Sequence, residues 1–358
     1  TKLLAFRGLK REPIDIAESG DIIAIAGFDQ STVADTLAAL EVTNPLPSQP
    51  IDPPTLAMIF SINDSPLSGL DGDKVTSRMI GDRLTREAEG NVAIRISETE
   101  SKDAFEVSGR GELQLGVLIE TMRREGFELS VSRPRAIYRN NPEMGTRQEP
   151  FEEVVVDVDE EFSGVVVESM SIRKGRIVEM RPSGGGKTRL TFIVPSRGLI
   201  GYYGDFLTET RGTGVMSRLF HSYEDHSGTI PGRRNGVLVS NIAGKSVAYA
   251  LQNLEERGRL MISPGAAVYG GMVIGEHSRG NDLEVNPINT KQLTNFRAAG
   301  KDDAVILTPP KRLSLEQAIA YINDDELVEV TPNYIRLRKR HLDSHQRKRA
   351  QRRSKEKN

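Results

Sequence analysis

Leu56, Met58, Phe60 and Ile62 alternate with their neighbours, the period-two pattern of a half-buried strand. Val75, Met79, Ile80 and Leu84 then share one side of a helix predicted from about residue 74 to 89. Val92, Ile94 and Ile96 alternate again, followed by Phe105 and Val107. The stretch SGRGELQLGVLIETMRREGFELSVSRP, residues 108–134, predicts a loop, a helix and a strand. Gly109 and Gly111 permit a tight turn, and Leu115, Leu118, Ile119 and Met122 form an apolar stripe. Gly126 is placed to stop the helix, and Phe127, Leu129 and Val131 alternate beyond it. The order strand, helix, strand, strand, helix, strand predicts a split βαβ sandwich over residues 54–135. Within it, Arg110 either serves the helix entry or faces a partner.

The same order returns over residues 150–225. Val154, Val156 and Val158 alternate, and a helix from about Glu161 carries Val165, Val166, Ser169 and Ile172. Ile177 to Met180 predicts a strand, SGGGK a turn, and Leu190, Phe192 and Val194 the next strand. SRGLIGYYGDFLTETRG predicts a second helix, with Ser196 as a cap, and residues 215–221 a final strand. A third unit, 226–340, alternates strands with a helix in GKSVAYALQNLEERG and another from Ser314 to Ile322. Ser314 and Gln317 make a capping box for the latter. Residues 278–299 are polar and weakly periodic, which predicts a long loop. Apolar residues nearly vanish after Lys339, so 341–358 is expected to be a basic, disordered tail.

Residues 1–48 carry short strand patterns that fill only part of a barrel. We expect Thr1 to lie inside a larger protein's reading frame; a processed natural N-terminus is the alternative. Pro45, Pro47, Pro50, Pro53 and Pro54 then form a stiff, extended linker. The fold class expected is α+β and multidomain: a partial β-barrel, two ferredoxin-like split βαβ sandwiches, a C-terminal mixed α/β domain and the tail.

Composition narrows the chemistry. The 358 residues include no Cys, which excludes disulfides and thiolate catalysis and is compatible with a reducing cytoplasm. No long apolar run suggests a membrane span. The net charge of -2 conceals an asymmetry, because residues 336–358 hold 11 Lys or Arg against two acidic residues. Trp is absent, so nucleic-acid contacts would rest on charge and glycine loops more than on stacking.

The main candidate is HSGTIPGRRNGVLVS, residues 226–240. Gly228, Gly232 and Gly236 frame Arg233 and Arg234, and guanidiniums bind phosphate oxygens bidentately. Asn235 completes the turn, and His226 can hydrogen-bond a phosphate or ribose. The other reading is a turn with solvated arginines. Lys245 is placed at a helix start, unfavourable unless an anion is near. Arg279, Lys291 and Arg297 lie in the polar segment, and Arg338, Lys339, Arg340, Arg347, Lys348 and Arg349 in the basic end. Lys187 sits on a hairpin whose GGGK lacks P-loop spacing, and Arg197 is either a solvated first-turn residue or an anion contact. The five His form no HExxH or evident metal spacing, and the adjacency of Glu276, His277 and Ser278 on an expected strand sends successive side chains to opposite faces.

SGRGELQLGVLIETMRREGFEL, SRGLIGYYGDF, HSGTIPGRRNGVLVSNIAGKSVAYALQNLEERG, YGGMVIGEHSRGNDLEVNP and LEQAIAYINDDELVEVTP resemble the TypA/BipA family, bacterial translational GTPases related to elongation factor G. The resemblance runs through essentially the whole chain. It implies that residues 1–48 are the later part of the barrel domain after the GTPase. It implies that the sandwiches correspond to the third and fifth domains of elongation factor G, and the last unit to a domain peculiar to TypA/BipA. It implies binding in the factor site of the bacterial 70S ribosome, against 23S rRNA and the acceptor end of A-site tRNA. The 232–235 loop, Lys245 and the 279–301 segment, Lys301 included, match family motifs in the domain implicated there. Roles in stress and ribosome assembly, a cytoplasmic location and a monomer off the ribosome are also expected. The chain has no counterpart to the GTPase P-loop, so we expect it to be no enzyme and to hold no cofactor, with GTP and Mg2+ belonging to the full-length protein. The competing expectation is a protein-interaction scaffold whose tail binds an acidic partner.

Overall fold

The computed structural model describes residues 2–8, 10–18, 20–28, 35–47, 52–142, 144–290 and 306–355. They fall in two compact units, Thr1–Asp52 and Pro53–Asn358. The first holds a three-stranded antiparallel sheet in which β1 (Lys2–Arg7) lies between β2 (Lys10–Pro13) and β3 (Ile23–Ala26). Leu3 pairs with Ile25 across it. The architecture of the whole is mixed α+β and mostly sheet.

The second unit opens with β4 (Leu56–Ile62), α1 (Ser77–Gly90), β5 (Arg95–Glu98), β6 (Ala104–Gly109), α2 (Glu112–Arg124) and β7 (Leu129–Ser132). Leu56, Met58 and Phe60 are buried from β4, and Leu115, Leu118, Ile119 and Met122 from α2, as their spacing predicts. Gly126, at φ +90, ends α2 in the left-handed conformation that favours glycine. The sheet runs in the order β7-β4-β6-β5. A short β8 (Arg135–Ala136) pairs with β4.

Next come β9 (Arg139–Asn140), β10 (Arg147–Asp159), α3 (Ser163–Ile172), β11 (Arg176–Gly184), β12 (Lys187–Pro195), α4 (Tyr202–Glu209) and β13 (Val215–Asp225). Their sheet is ordered β11-β12-β10-β13, with β9 on β10. Val154 and Val156 of β10 lie opposite Phe192 and Leu190 of β12, and α3 and α4 cover that face with Val166, Met170, Tyr202 and Phe206. This sandwich closes on its own core. Ser196 is the first residue of a 3-10 turn, not the cap of α4, whose entry is Gly201.

The last stretch forms β14 (Val237–Ser240), β15 (Gly244–Lys245), α5 (Ala248–Glu255), β16 (Gly258–Leu260), β17 (Ala267–Val268), β18 (Met272–His277), β19 (Leu283–Val285), α6 (Leu315–Tyr321), β20 (Glu326–Val330), β21 (Ile335–Lys339) and α7 (Ser344–Lys355). Its sheet continues that of the first sandwich, because β20 pairs antiparallel with β7, Val328 facing Val131. One core unites Leu118, Ile119 and Val131 with Ala318, Ile319, Ile322 and Val328. The other face of the sheet packs on Leu238, Leu251, Tyr269 and Ile274. The capping box at Ser314 and Gln317 is formed.

Two expectations change here. Residues 283–285 are not loop but a strand parallel to β14. Within the tail expected to be disordered, Ser344–Lys355 form α7. Asp343 accepts from Gln346 N at 2.9 Å, Leu342 packs on the second core, and Arg347 pairs with Glu284 at 2.7 Å. These tertiary anchors outweigh the lack of an apolar stripe. Among the described residues no helix is long and apolar enough to cross a membrane.

Candidate nucleic-acid interface

The loop before β14 is mounted by a glycine. A Cβ at Gly236 would lie 2.2 Å from the Asn281 carbonyl oxygen, so only glycine lets the backbones meet there. Gly236 N donates to the Arg279 carbonyl at 2.8 Å, and His277 N to the Gly236 carbonyl at 2.9 Å. A Cβ at Gly280 would lie 3.1 Å from the Arg234 carbonyl oxygen. The fold thus brings the backbones of Arg234 and Arg279, 45 positions apart in sequence, side by side.

The two arginines of the loop part company. Arg233 turns inward and bonds both oxygens of Glu326, each at 2.9 Å, as well as the Asn235 and Tyr321 carbonyls. Its guanidinium lies 4.5 Å from the centre of the Tyr321 ring. Glu326 is 1% exposed, so the pair is internal. Burial alone would raise the Glu326 carboxyl, but the Arg233 hydrogen bond and the charges of Lys339 and Arg233 bring it below the ordinary carboxylate value. The expectation that Arg233 meets phosphate is therefore corrected: desolvation without Glu326 would be too costly. Arg234 is exposed, and its side chain makes no hydrogen bond or ion pair with another described residue.

The same division sorts the other candidates. Arg338 is buried and bonds Asp64 and Ser130. Lys339 is buried among Asp282, Asp325 and Glu326 at 2.5, 2.8 and 2.9 Å. Arg197 binds Glu149, Ser227 and the Gly228 carbonyl, so the anion it meets is internal. Arg347 bonds Glu284 and the His341 and Leu342 carbonyls. Asn235 donates to Glu276 at 3.0 Å. His226 accepts from Gly228 N through Nδ1 and lies beside Tyr138. Each of these side chains is engaged within the fold, while His226 remains exposed. Lys187 reaches the Thr213 carbonyl at 3.4 Å and remains on the hairpin.

Exposed and without a side-chain hydrogen bond or ion pair to another described residue are Arg234, Lys245, Arg279, Arg340, Lys348 and Arg349. Lys245 lies on β15, paired with Ala267, three residues ahead of α5, so its charge does not sit at a helix terminus as expected. Lys291, Arg297 and Lys301 lie outside the described residues. Sequence reading passed over Arg133 and Arg135, which leave β7 beside Pro134. The available signal was two arginines flanking a proline at the end of an apolar strand.

Residues 146–234 match the family described as elongation factor G C-terminus, and residues 235–344 the TypA/BipA C-terminal domain. The two matches meet inside the glycine-arginine loop. The large ribosomal subunit assembly factor BipA of Haemophilus influenzae is 52% identical over 352 residues, covering 98% of this chain and 57% of that protein. The protein of the same name from Salmonella typhimurium is 52% identical over 99% of this chain and 58% of its own length. That from Buchnera aphidicola is 48% identical over 99% and 58%. The chain thus spans less than three fifths of the length of these relatives. A crystal structure from Thermus thermophilus aligns at 13% identity and a TM-score of 0.37, over 63% of this chain and 49% of that one, a likeness that carries no argument.

The expectation that the chain is no enzyme is not upheld by these matches, since identity of about one residue in two with BipA proteins runs through 98% of it. The chain belongs to the TypA/BipA family.

Proposed function

We propose that this chain docks on the bacterial large ribosomal subunit and serves its assembly, using exposed cations of the C-terminal unit against rRNA phosphates. The observation that carries the reading is the pair Arg234 and Arg279, adjoining in backbone, exposed, and free of side-chain ion pairs among the described residues. Guanidiniums left unpaired on a rigid mount lose little entropy on meeting phosphate oxygens. Relatives named as large-subunit assembly factors support the same reading. In its finer form, the chain sits in the factor site of the 70S ribosome with its C-terminal unit near the acceptor end of A-site tRNA. GTP hydrolysis with Mg2+ is the activity we propose for the whole protein, in the cytoplasm.

The test is co-sedimentation of the chain with purified large subunits, with free rRNA as competitor. Saturable binding that rRNA displaces is expected. Absence of binding, or binding that only an acidic protein displaces, would reject the reading.

A further inference from the structure

A groove of about 500 Å³ opens where the end of β7, the turn before β20, the end of β21 and α7 converge. Arg133, Arg340, His341 and Arg347 line it, together with Asp324 and Asp325. Each carboxylate has a nearer cation, and both also attract the Arg340 guanidinium from a greater distance. Asp325 bonds Lys339 at 2.8 Å, and Asp324 faces Arg135 at 3.9 Å. Arg347 is held by Glu284 and two carbonyls. Arg133 and Arg340 remain, and neither side chain makes a hydrogen bond or ion pair with another described residue. Arg340 is also crowded: desolvation first, and the Arg135 charge second, lower its guanidinium from the ordinary value. The backbone holds it there, because Arg340 N donates to the Asp325 carbonyl at 2.8 Å.

Two guanidiniums facing one recess, with a third cation beside them and carboxylates whose pull on Arg340 does not offset its desolvation and the Arg135 charge, make a field that an incoming anion relieves. A recess of this size admits a phosphate with its flanking sugars, and the fork of Arg suits two of its oxygens. We infer that this groove is a second phosphate-backbone contact for rRNA, with Arg133 from the first sandwich and Arg340 from the C-terminal unit gripping it together. It rests on the large-subunit docking proposed above and adds a contact remote in sequence from the 232–236 loop. Since the two arginines come from different parts of the continuous sheet, RNA seated there would clamp them against each other.

The experiment compares the full chain with its Arg133→Ala/Arg340→Ala variant, binding purified bacterial large subunits over a potassium chloride series. The slope of log affinity against log salt is expected to become shallower by about 1 to 2, with weaker binding at low salt. Thermal melting is expected to be unchanged. The Arg133→Lys/Arg340→Lys variant keeps the charges and is expected to retain the slope; if its slope falls as far as that of the alanine variant, the inference falls with it. An unchanged slope and affinity in the alanine variant, while Arg234→Ala/Arg279→Ala reduces both, would overturn the groove and leave the docking proposal standing. Failure of the unaltered chain to bind large subunits would overturn both.

Discussion

Two neighbouring regions of the C-terminal unit are rich in arginine and put it to opposite use. In the seam with the first sandwich, Glu329 is fully buried and receives Tyr269 and Asn63 as well as Arg336, the last at 2.8 Å. Glu128, also buried, accepts from the backbone N–H groups of Gly69, Asp71 and Gly72 at 2.7 to 3.0 Å. Arg123 closes the seam on the Thr331 and Pro332 carbonyls. At the glycine-framed edge, Arg234 and Arg279 have no such partners among the described residues. A buried charge must be matched inside the protein, whereas an exposed one left unmatched is available to a ligand. The seam therefore fixes where the edge is held, and under the proposed function the edge supplies the affinity.

The strongest way to break this contrast is Glu326→Gln, which strands Arg233 in the interior and takes from Lys339 one of its three carboxylates. A loss of about 3–5 kcal/mol is expected, read as a lower midpoint in chemical or thermal unfolding. An unaltered midpoint would move Arg233 to the ligand-facing group. The pH dependence follows with a definite sign. Folding lowers the Glu326 carboxyl, so its stabilisation is present above the unfolded carboxylate range and is lost as pH falls through the folded value. The acid limb of the unfolding profile should flatten in Glu326→Gln.

Gly236→Ala comes next. Its Cβ meets backbone atoms that cannot swing aside, so about 1–3 kcal/mol is expected, with ribosome affinity falling because Arg234 and Arg279 lose their shared mount. Unchanged binding would show that the mount is dispensable. Tyr269→Phe removes one donor from Glu329 and leaves Arg336 and Asn63, for an expected cost of about 1–2 kcal/mol in unfolding and no change in RNA binding.

Local elements were readable because their causes are local. The alternation in β4, the stripe of α2, the stop at Gly126 and the capping box at Ser314 all act within a few residues. The pairing of β7 with β20 was not readable, since about 195 residues separate Val131 from Val328 and alternation marks a strand without naming its neighbour. Arg233 and Arg234 illustrate the limit at the site. Same residue type, same loop, adjacent positions: only Glu326, 93 positions away, separates the internal one from the exposed one. The same holds for Arg338 and Lys339, whose carboxylate partners at Asp64 and Asp282 lie far off in sequence. Gly236 signalled a close approach, while the fold alone identifies Asn281 as what approaches.

The smallest stability change and the sharpest functional one should coincide in Arg234→Ala/Arg279→Ala, with unfolding shifted by no more than about 0.5 kcal/mol. Measuring its binding to large ribosomal subunits across a salt series tests the central claim most directly. The account predicts a log–log slope shallower by about 2, since each arginine neutralises one phosphate in the unaltered chain. A slope and affinity equal to those of the unaltered chain would contradict it.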